Sequence, residues 1–149
     1  MRKKGLILVV LLLLTLLLVG CGSDDADDLK EVTTFEQIAM SQAKELLETT
    51  DGYILLDVRR VDEYDSGHIP GAMLLPNEDI PVNLEDYENM EEKSQYLLDF
   101  EAEAEKEQVI YVYCRSGNRS KQAAQKLVDL GYTSVVEIGG IQSWTGEIV

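Results

Sequence analysis

Residues 111–120, with the sequence YVYCRSGNRS, place a cysteine where an apolar run gives way to small polar residues between two arginines. After the run come Cys114, Arg115, Ser116, Gly117, Asn118, Arg119 and Ser120. The small residues let a tight loop curl so that its backbone amides converge, and such a loop binds anions. Because helix N-termini and nearby cations lower a cysteine pKa from about 8.5 to roughly 3.5–7.5, Cys114 is predicted to be a thiolate nucleophile. The guanidinium groups of the two arginines are planar and carry several N–H donors, which suit sulfate, thiosulfate or phosphate. The alternative to a reactive Cys114 is an inert cysteine in the core.

The other cysteine, Cys21, lies in a pattern typical of export. A basic start at residues 2–4 precedes an apolar run over residues 5–19, which is shorter than the roughly 20 residues that span a bilayer comfortably. The run ends in LVGC, residues 18–21, which resembles the bacterial lipobox. We therefore expect residues 1–20 to be a lipoprotein signal peptide. A lipidated Cys21 would anchor the chain at the extracytoplasmic face of the cell membrane. The alternative is a short signal anchor in which Cys21 is incidental.

The segment after Cys21 consists mostly of small and acidic residues, which cannot bury apolar surface. Residues 21–33 are therefore predicted to be a lipidated cysteine followed by a flexible tether. Residues 1–20 contain three of the 13 basic residues and none of the 28 acids, which leaves 10 basic and 28 acidic side chains and a net charge of −18. This charge argues against nucleic acid as a partner and against electrostatic docking on anionic lipids. With Cys21 acylated, Cys114 is the remaining thiol, which excludes an intrachain disulfide.

Residues 34–149 alternate between short apolar runs and helical patterns. The runs, which suit buried parallel strands, are Tyr53–Asp57, Ala72–Leu75, Val109–Tyr113 and Val135–Ile138. The helical patterns are Gln42–Glu48 with Ser41 as N-cap, an acidic stretch over Tyr87–Glu107, and Ser120–Leu130 with Gly131 as its stop. We expect a single three-layer α/β domain with a mainly parallel sheet. Residues 85–107, with ten acids and two lysines, form either a solvated face or a docking surface.

Three motifs carry a family resemblance. CRSGNRS, residues 114–120, resembles the active-site loop of the rhodanese sulfurtransferases; LLDVRRVDEYDSGHIPGA, residues 55–72, is similar to their N-terminal signature, and GGIQSW, residues 139–144, to the end of their domain. The resemblance implies a five-stranded parallel sheet flanked by helices. It also implies a ping-pong cycle in which Cys114 takes a sulfane sulfur from a donor, becomes a persulfide and passes the sulfur to an acceptor. The loop from Arg115 to Ser120 would bind that persulfide, and no cofactor or metal is required.

The same resemblance implies a polar network of Asp57, Arg59 and Glu63 beside the loop, structural first and catalytic second. His68, the chain's single histidine, is either a general base or a turn residue that satisfies backbone groups. One histidine with no nearby cysteine makes no metal site. The donor is expected to be thiosulfate or polysulfide, and the acceptor a thiol or cyanide. We expect a monomer.

Two other functions stay open. The first is a cysteine-dependent phosphatase or arsenate reductase, but those loops resemble Cys-x5-Arg, whereas four residues separate Cys114 from Arg119. The mature chain also lacks a second thiol to resolve an oxidised Cys114. The second is a non-catalytic module that binds anions or carries a persulfide, because the same loop would both bind and react.

Overall fold

The computed structural model describes residues 34–149, which build a five-stranded parallel sheet with helices on both faces. The predicted signal peptide (1–20), Cys21 and the tether (21–33) lie outside the described residues. The strands are β1 (Glu36–Gln37), β2 (Ile54–Asp57), β3 (Met73–Leu74), β4 (Ile110–Cys114) and β5 (Val135–Gly140). Their order across the sheet is β1-β5-β4-β2-β3, and every pairing is parallel. The predicted three-layer α/β fold is therefore confirmed.

Five α-helices accompany the described strands. They are α1 (Met40–Thr49), α2 (Val61–Asp65), α3 (Leu84–Glu88), α4 (Gln95–Glu103) and α5 (Asn118–Asp129). Successive strand residues point to opposite faces, so Leu56 and Val112 pack with α4 and α5, whereas Leu55 and Tyr111 pack with α1. The central strands are buried on both faces, which explains why they read as continuous apolar runs.

Two predicted helix boundaries are wrong. Helix α1 begins at Met40, with Ala39 rather than Ser41 as its N-cap, because the side chain of Gln42 accepts a hydrogen bond from the Ala39 amide at 3.2 Å. The acidic stretch contains two short helices rather than one, because a second N-cap interrupts it: the Ser94 hydroxyl accepts from the Leu97 amide at 3.2 Å. No helix within residues 34–149 is both long and apolar enough to cross a membrane.

Candidate active site

Cys114 is the last residue of β4, and its side chain is 1% exposed. The chain then turns through residues 115–117 and enters α5 at Asn118. Gly117 precedes the helix with φ of 103°, a left-handed conformation that favours glycine. The cysteine is thereby held at the carboxyl edge of a parallel sheet and at the N-terminus of a twelve-residue helix, where ligands and anions bind in such folds.

The sulfur of Cys114 accepts a hydrogen bond from the Gly117 amide at 3.1 Å. Burial opposes ionisation of the thiol, but the Ser120 hydroxyl and the backbone amides of Ser120, Gly117 and Ser116 favour the thiolate more strongly, so the pKa of Cys114 is lowered. Ser116 and Asn118 are exposed, whereas Gly117 and Ser120 are buried. The loop is therefore open on its outer side and closed beneath the sulfur.

The end of β5 forms the wall behind the loop. A Cβ at Gly140 would overlap the carbonyl of Arg115 and lie 2.6 Å from the Ser116 Cα, so the close approach of the two backbones requires glycine. The Gln142 amide donates to the Arg115 carbonyl at 3.3 Å. The loop therefore rests against the GGIQSW segment, which explains why the two motifs occur together.

The two arginines of the loop have different surroundings. Arg119 binds Glu63 of α2 with both terminal nitrogens, at 2.6 and 2.8 Å. The hydrogen bonds from Arg119 are the main reason why the pKa of Glu63 is lowered to about 2. Arg115 is exposed, and no ion pair to it exists within the described residues. Arg115, rather than Arg119, therefore has the guanidinium group that can bind an incoming oxyanion.

Asp57 and Arg59 form a buried pair on the other side of the sheet. Arg59 Nη2 lies 2.7 Å from Asp57 Oδ2 and 2.8 Å from the Gly67 carbonyl oxygen. The guanidinium also lies 5.9 Å from the centre of the Tyr113 ring. No hydrogen bond within the described residues joins this pair to Glu63, so the predicted network is split into two separate contacts.

Glu137 of β5 is a buried acid, 3% exposed, that contacts the loop from behind. Its Oε1 accepts from the Ser120 hydroxyl at 2.5 Å and from the Gly139 amide at 2.8 Å. These two contacts join the first turn of α5 to the end of β5.

The model of the rhodanese-like domain family matches residues 39–147. The chain belongs to this family. It is 32% identical to the thiosulfate sulfurtransferase GlpE of Pseudomonas savastanoi pv. phaseolicola, with 76% of this chain and 90% of that protein covered. A solution structure of a rhodanese-like domain from the Anabaena protein Alr3790 is 29% identical, with a TM-score of 0.60 and 76% of this chain and 77% of that chain covered.

Other relatives of this rhodanese-like domain are longer proteins. The chain is 24% identical to the putative sulfur carrier protein YrkF of Bacillus subtilis, and the match covers 79% of this chain but 55% of that protein. Matches to the UBA4 adenylyltransferases and sulfurtransferases of two yeasts cover 20% and 21% of their lengths. The chain therefore spans about half or less of these relatives.

His68 is placed away from the sulfur contacts of the rhodanese loop. Its ring stacks on Tyr64 with centroids 3.7 Å apart, and Nδ1 lies 3.1 Å from the Tyr64 carbonyl oxygen. Its backbone exchanges two hydrogen bonds with Val149, at 2.9 and 3.0 Å. These contacts fit a turn residue that satisfies backbone groups.

Sequence reasoning missed three residues that shape the site, namely Tyr113, Glu137 and Gly140. Burial and the nearby Asp57 carboxylate raise the pKa of Tyr113, and its hydroxyl accepts from the Ile69 amide at 3.2 Å. One signal was available for Glu137: a lone acid inside the apolar run of residues 135–138. An acid in a buried strand needs polar partners.

Proposed function

We propose that this domain is a sulfurtransferase that carries a sulfane sulfur on Cys114. The observation that carries the proposal is the buried sulfur at the end of β4, with the Gly117 amide 3.1 Å away and a lowered thiol pKa. A thiolate in this position is a nucleophile with fixed donors aimed at it, which is the arrangement that stabilises a developing anion.

The cycle has two steps. The Cys114 thiolate attacks the outer sulfur of thiosulfate; a new S–S bond forms, the S–S bond of the donor breaks, and sulfite leaves with the electron pair. In the second step, cyanide or a thiolate attacks the outer sulfur of the persulfide, and the Cys114 thiolate leaves. Arg115 draws the anionic donor to the mouth of the loop, while the amides around Gly117 hold the negative charge on the carried sulfur.

Intact mass spectrometry tests this proposal. The full chain with Cys21→Ser, in which Cys114 is the reactive thiol, is compared before and after thiosulfate, with Cys114→Ser as the matched control. A gain of one sulfur atom that is absent in the control and is discharged by cyanide supports the cycle. If neither thiosulfate nor polysulfide adds sulfur, the proposal fails.

A second candidate is a persulfide carrier without fast turnover. Two observations favour it: Cys114 is 1% exposed, and one relative is named a putative sulfur carrier protein. Turnover distinguishes the two functions. A carrier would gain the sulfur atom but release it slowly to cyanide, whereas an enzyme would cycle repeatedly with excess thiosulfate.

We further propose that the domain works at the extracytoplasmic face of a membrane, with residues 1–20 removed and Cys21 lipidated. The sequence pattern of residues 2–21 supports this proposal. Metabolic labelling with a radioactive fatty acid tests it in a bacterial host. Label should enter the wild-type chain and the Cys114→Ser variant but not Cys21→Ser; equal labelling of all three would contradict lipidation at Cys21.

A further inference from the structure

A cavity of about 280 Å³ lies between α3, α4 and the segment that follows α5. None of the described residues that line it belongs to the loop of Cys114. Cys114 precedes the N-terminus of α5, whereas the cavity lies near the C-terminus of this twelve-residue helix. At a rise of about 1.5 Å per residue, the two ends are about 18 Å apart. A ligand in this cavity would therefore be distinct from the sulfur donor and acceptor.

The walls of the cavity are mostly apolar and aromatic. Leu97, Phe100 and Leu130 are buried core residues that line it, and the rings of Tyr87 and Tyr132 line it as well. Pockets for drug-sized ligands have such walls, with a few polar groups, and volumes of roughly 300–1,000 Å³. The smaller volume here suits a molecule with one ring.

The hydroxyl of Tyr132 is a polar group without a partner in this cavity. Tyr132 is 5% exposed, and its hydroxyl makes no hydrogen bond within residues 34–149, although buried tyrosine hydroxyls usually have a partner. It is not sealed off, because Asn77 Oδ1 is the single fully enclosed side-chain polar atom without a partner in that range. Burial raises the pKa of Tyr132 to about 12, so the hydroxyl keeps its proton at neutral pH and can donate it to a ligand.

The two lysines of the acidic stretch both lie at this cavity. Lys93 Nζ donates to both carboxylate oxygens of Glu101, at 2.8 and 3.0 Å, so the charge of this lining acid is compensated. Lys106 Nζ donates to the Leu130 carbonyl oxygen at 2.8 Å, and no carboxylate in the described part of the chain forms an ion pair with it. Because an ammonium group has three hydrogens, Lys106 has donors left for an anion.

We propose that this cavity binds a small monocarboxylate that carries one aromatic ring. The ring would pack against Tyr87, Phe100 and Tyr132, since aromatic pairs attract each other beyond the apolar area that they bury. The carboxylate would accept from Lys106 and from the Tyr132 hydroxyl. Lys106 Nζ lies 3.8 Å from the centre of the Tyr132 ring, so one carboxylate can reach both donors. A cationic ligand would instead meet two ammonium groups.

An NMR titration of the full chain with Cys21→Ser tests this proposal, with 3-phenylpropanoate as the probe. We expect saturable shifts of the Leu97 and Leu130 amides and none at Gly117. 3-Phenylpropanamide has the same shape without the charge and should bind about fivefold more weakly. The proposal is overturned if no saturable shift occurs, if the shifts are confined to the loop of Gly117, or if acid and amide bind equally. Because the titration requires no sulfur transfer, failure to load sulfur would refute the proposed function alone.

Substitutions at the cavity supply the second measurement. Lys106→Met keeps the aliphatic stem and removes the charge, so binding should weaken about fivefold; Tyr132→Phe should weaken it about threefold. Lys121→Met is the matched control, because it removes the same charge from an exposed position of α5 outside the cavity, and it should bind as the parent chain does.

A blocking variant covers the case in which Lys106→Met does not fold. Leu84 lines the cavity and is 51% exposed, so Leu84→Trp can close the opening without disturbing the core and should abolish the saturable shifts. Binding that is unchanged in folded Lys106→Met or in Leu84→Trp overturns the proposal.

Discussion

Replacing Glu63 by glutamine should lower the free energy of unfolding at pH 7, because it leaves Arg119 without its partner. The two residues are 16% and 28% exposed in their side chains, with nitrogen–oxygen distances of 2.6 and 2.8 Å. The hydrogen bonds from Arg119, opposed by partial burial, lower the pKa of Glu63 from 4.5 to about 2. At about 1.36 kcal/mol per unit, this fall sets an upper limit of about 3 kcal/mol. Solvent screening of a partly exposed pair reduces the expected loss to about 2 kcal/mol.

The sign of the pH dependence follows from the lowered pKa. The pair stabilises the folded state fully above the unfolded pKa of about 4.5, and the stabilisation is lost as the pH falls toward about 2. Urea denaturation of the wild type and Glu63→Gln at several pH values measures the difference. We expect about 2 kcal/mol at pH 7 and a value near zero at pH 2.

A neighbouring ion pair supplies the control. Asp62 lies on the same helix as Glu63, and its partner Arg60 is the N-cap residue of that helix. Their side chains are 72% and 62% exposed, so Asp62→Asn should leave the free energy of unfolding almost unchanged. If Glu63→Gln costs no more than Asp62→Asn, or if its cost is the same at pH 2 and pH 7, the ion-pair reasoning is refuted.

Three further predictions concern the rest of the site. Gly140→Ala should lower the free energy of unfolding by about 2 kcal/mol or more, because its Cβ would overlap the Arg115 carbonyl; an unchanged melting temperature would contradict this packing. Arg59→Met should cost about 3 kcal/mol in urea denaturation, since it leaves the Asp57 carboxylate buried without its partner; a loss below about 1 kcal/mol would argue against the buried pair. Arg115→Ala should raise the KM for thiosulfate on the order of threefold and weaken its salt dependence. Steady-state kinetics with an unchanged KM at low and high salt would exclude Arg115 from donor binding.

The fold was predictable because its signals are local. The central strands are apolar on both faces, and Gly131, with φ of 91°, ends α5 where the sequence indicates. Strand β1 was not predicted from the pattern of residues, because it has two polar, exposed residues and therefore no apolar signal. The acidic stretch was predicted as one helix because its helical pattern is continuous. In the structure the Ser94 hydroxyl caps a new helix within that stretch.

The contacts of the site were less predictable, because they join residues far apart in sequence. Glu63 and Arg119 are 56 residues apart, and Ser120 and Glu137 are 17 apart. Residue types alone do not say which acid meets which donor; that choice depends on the order and the register of the strands. The position of Cys114 at a strand end and before a helix was predictable, since it depends on neighbours in the sequence.

The outer strands of the sheet, β1 and β3, have two residues each. An exposed sheet edge is a template on which a strand of another chain can add, and short edge strands are one way in which proteins prevent this. Molecules that share a membrane surface meet one another far more often than molecules free in solution. If the proposed lipid anchor concentrates this domain in that way, its short edges and its excess of acids give it resistance to edge-to-edge aggregation at high surface density.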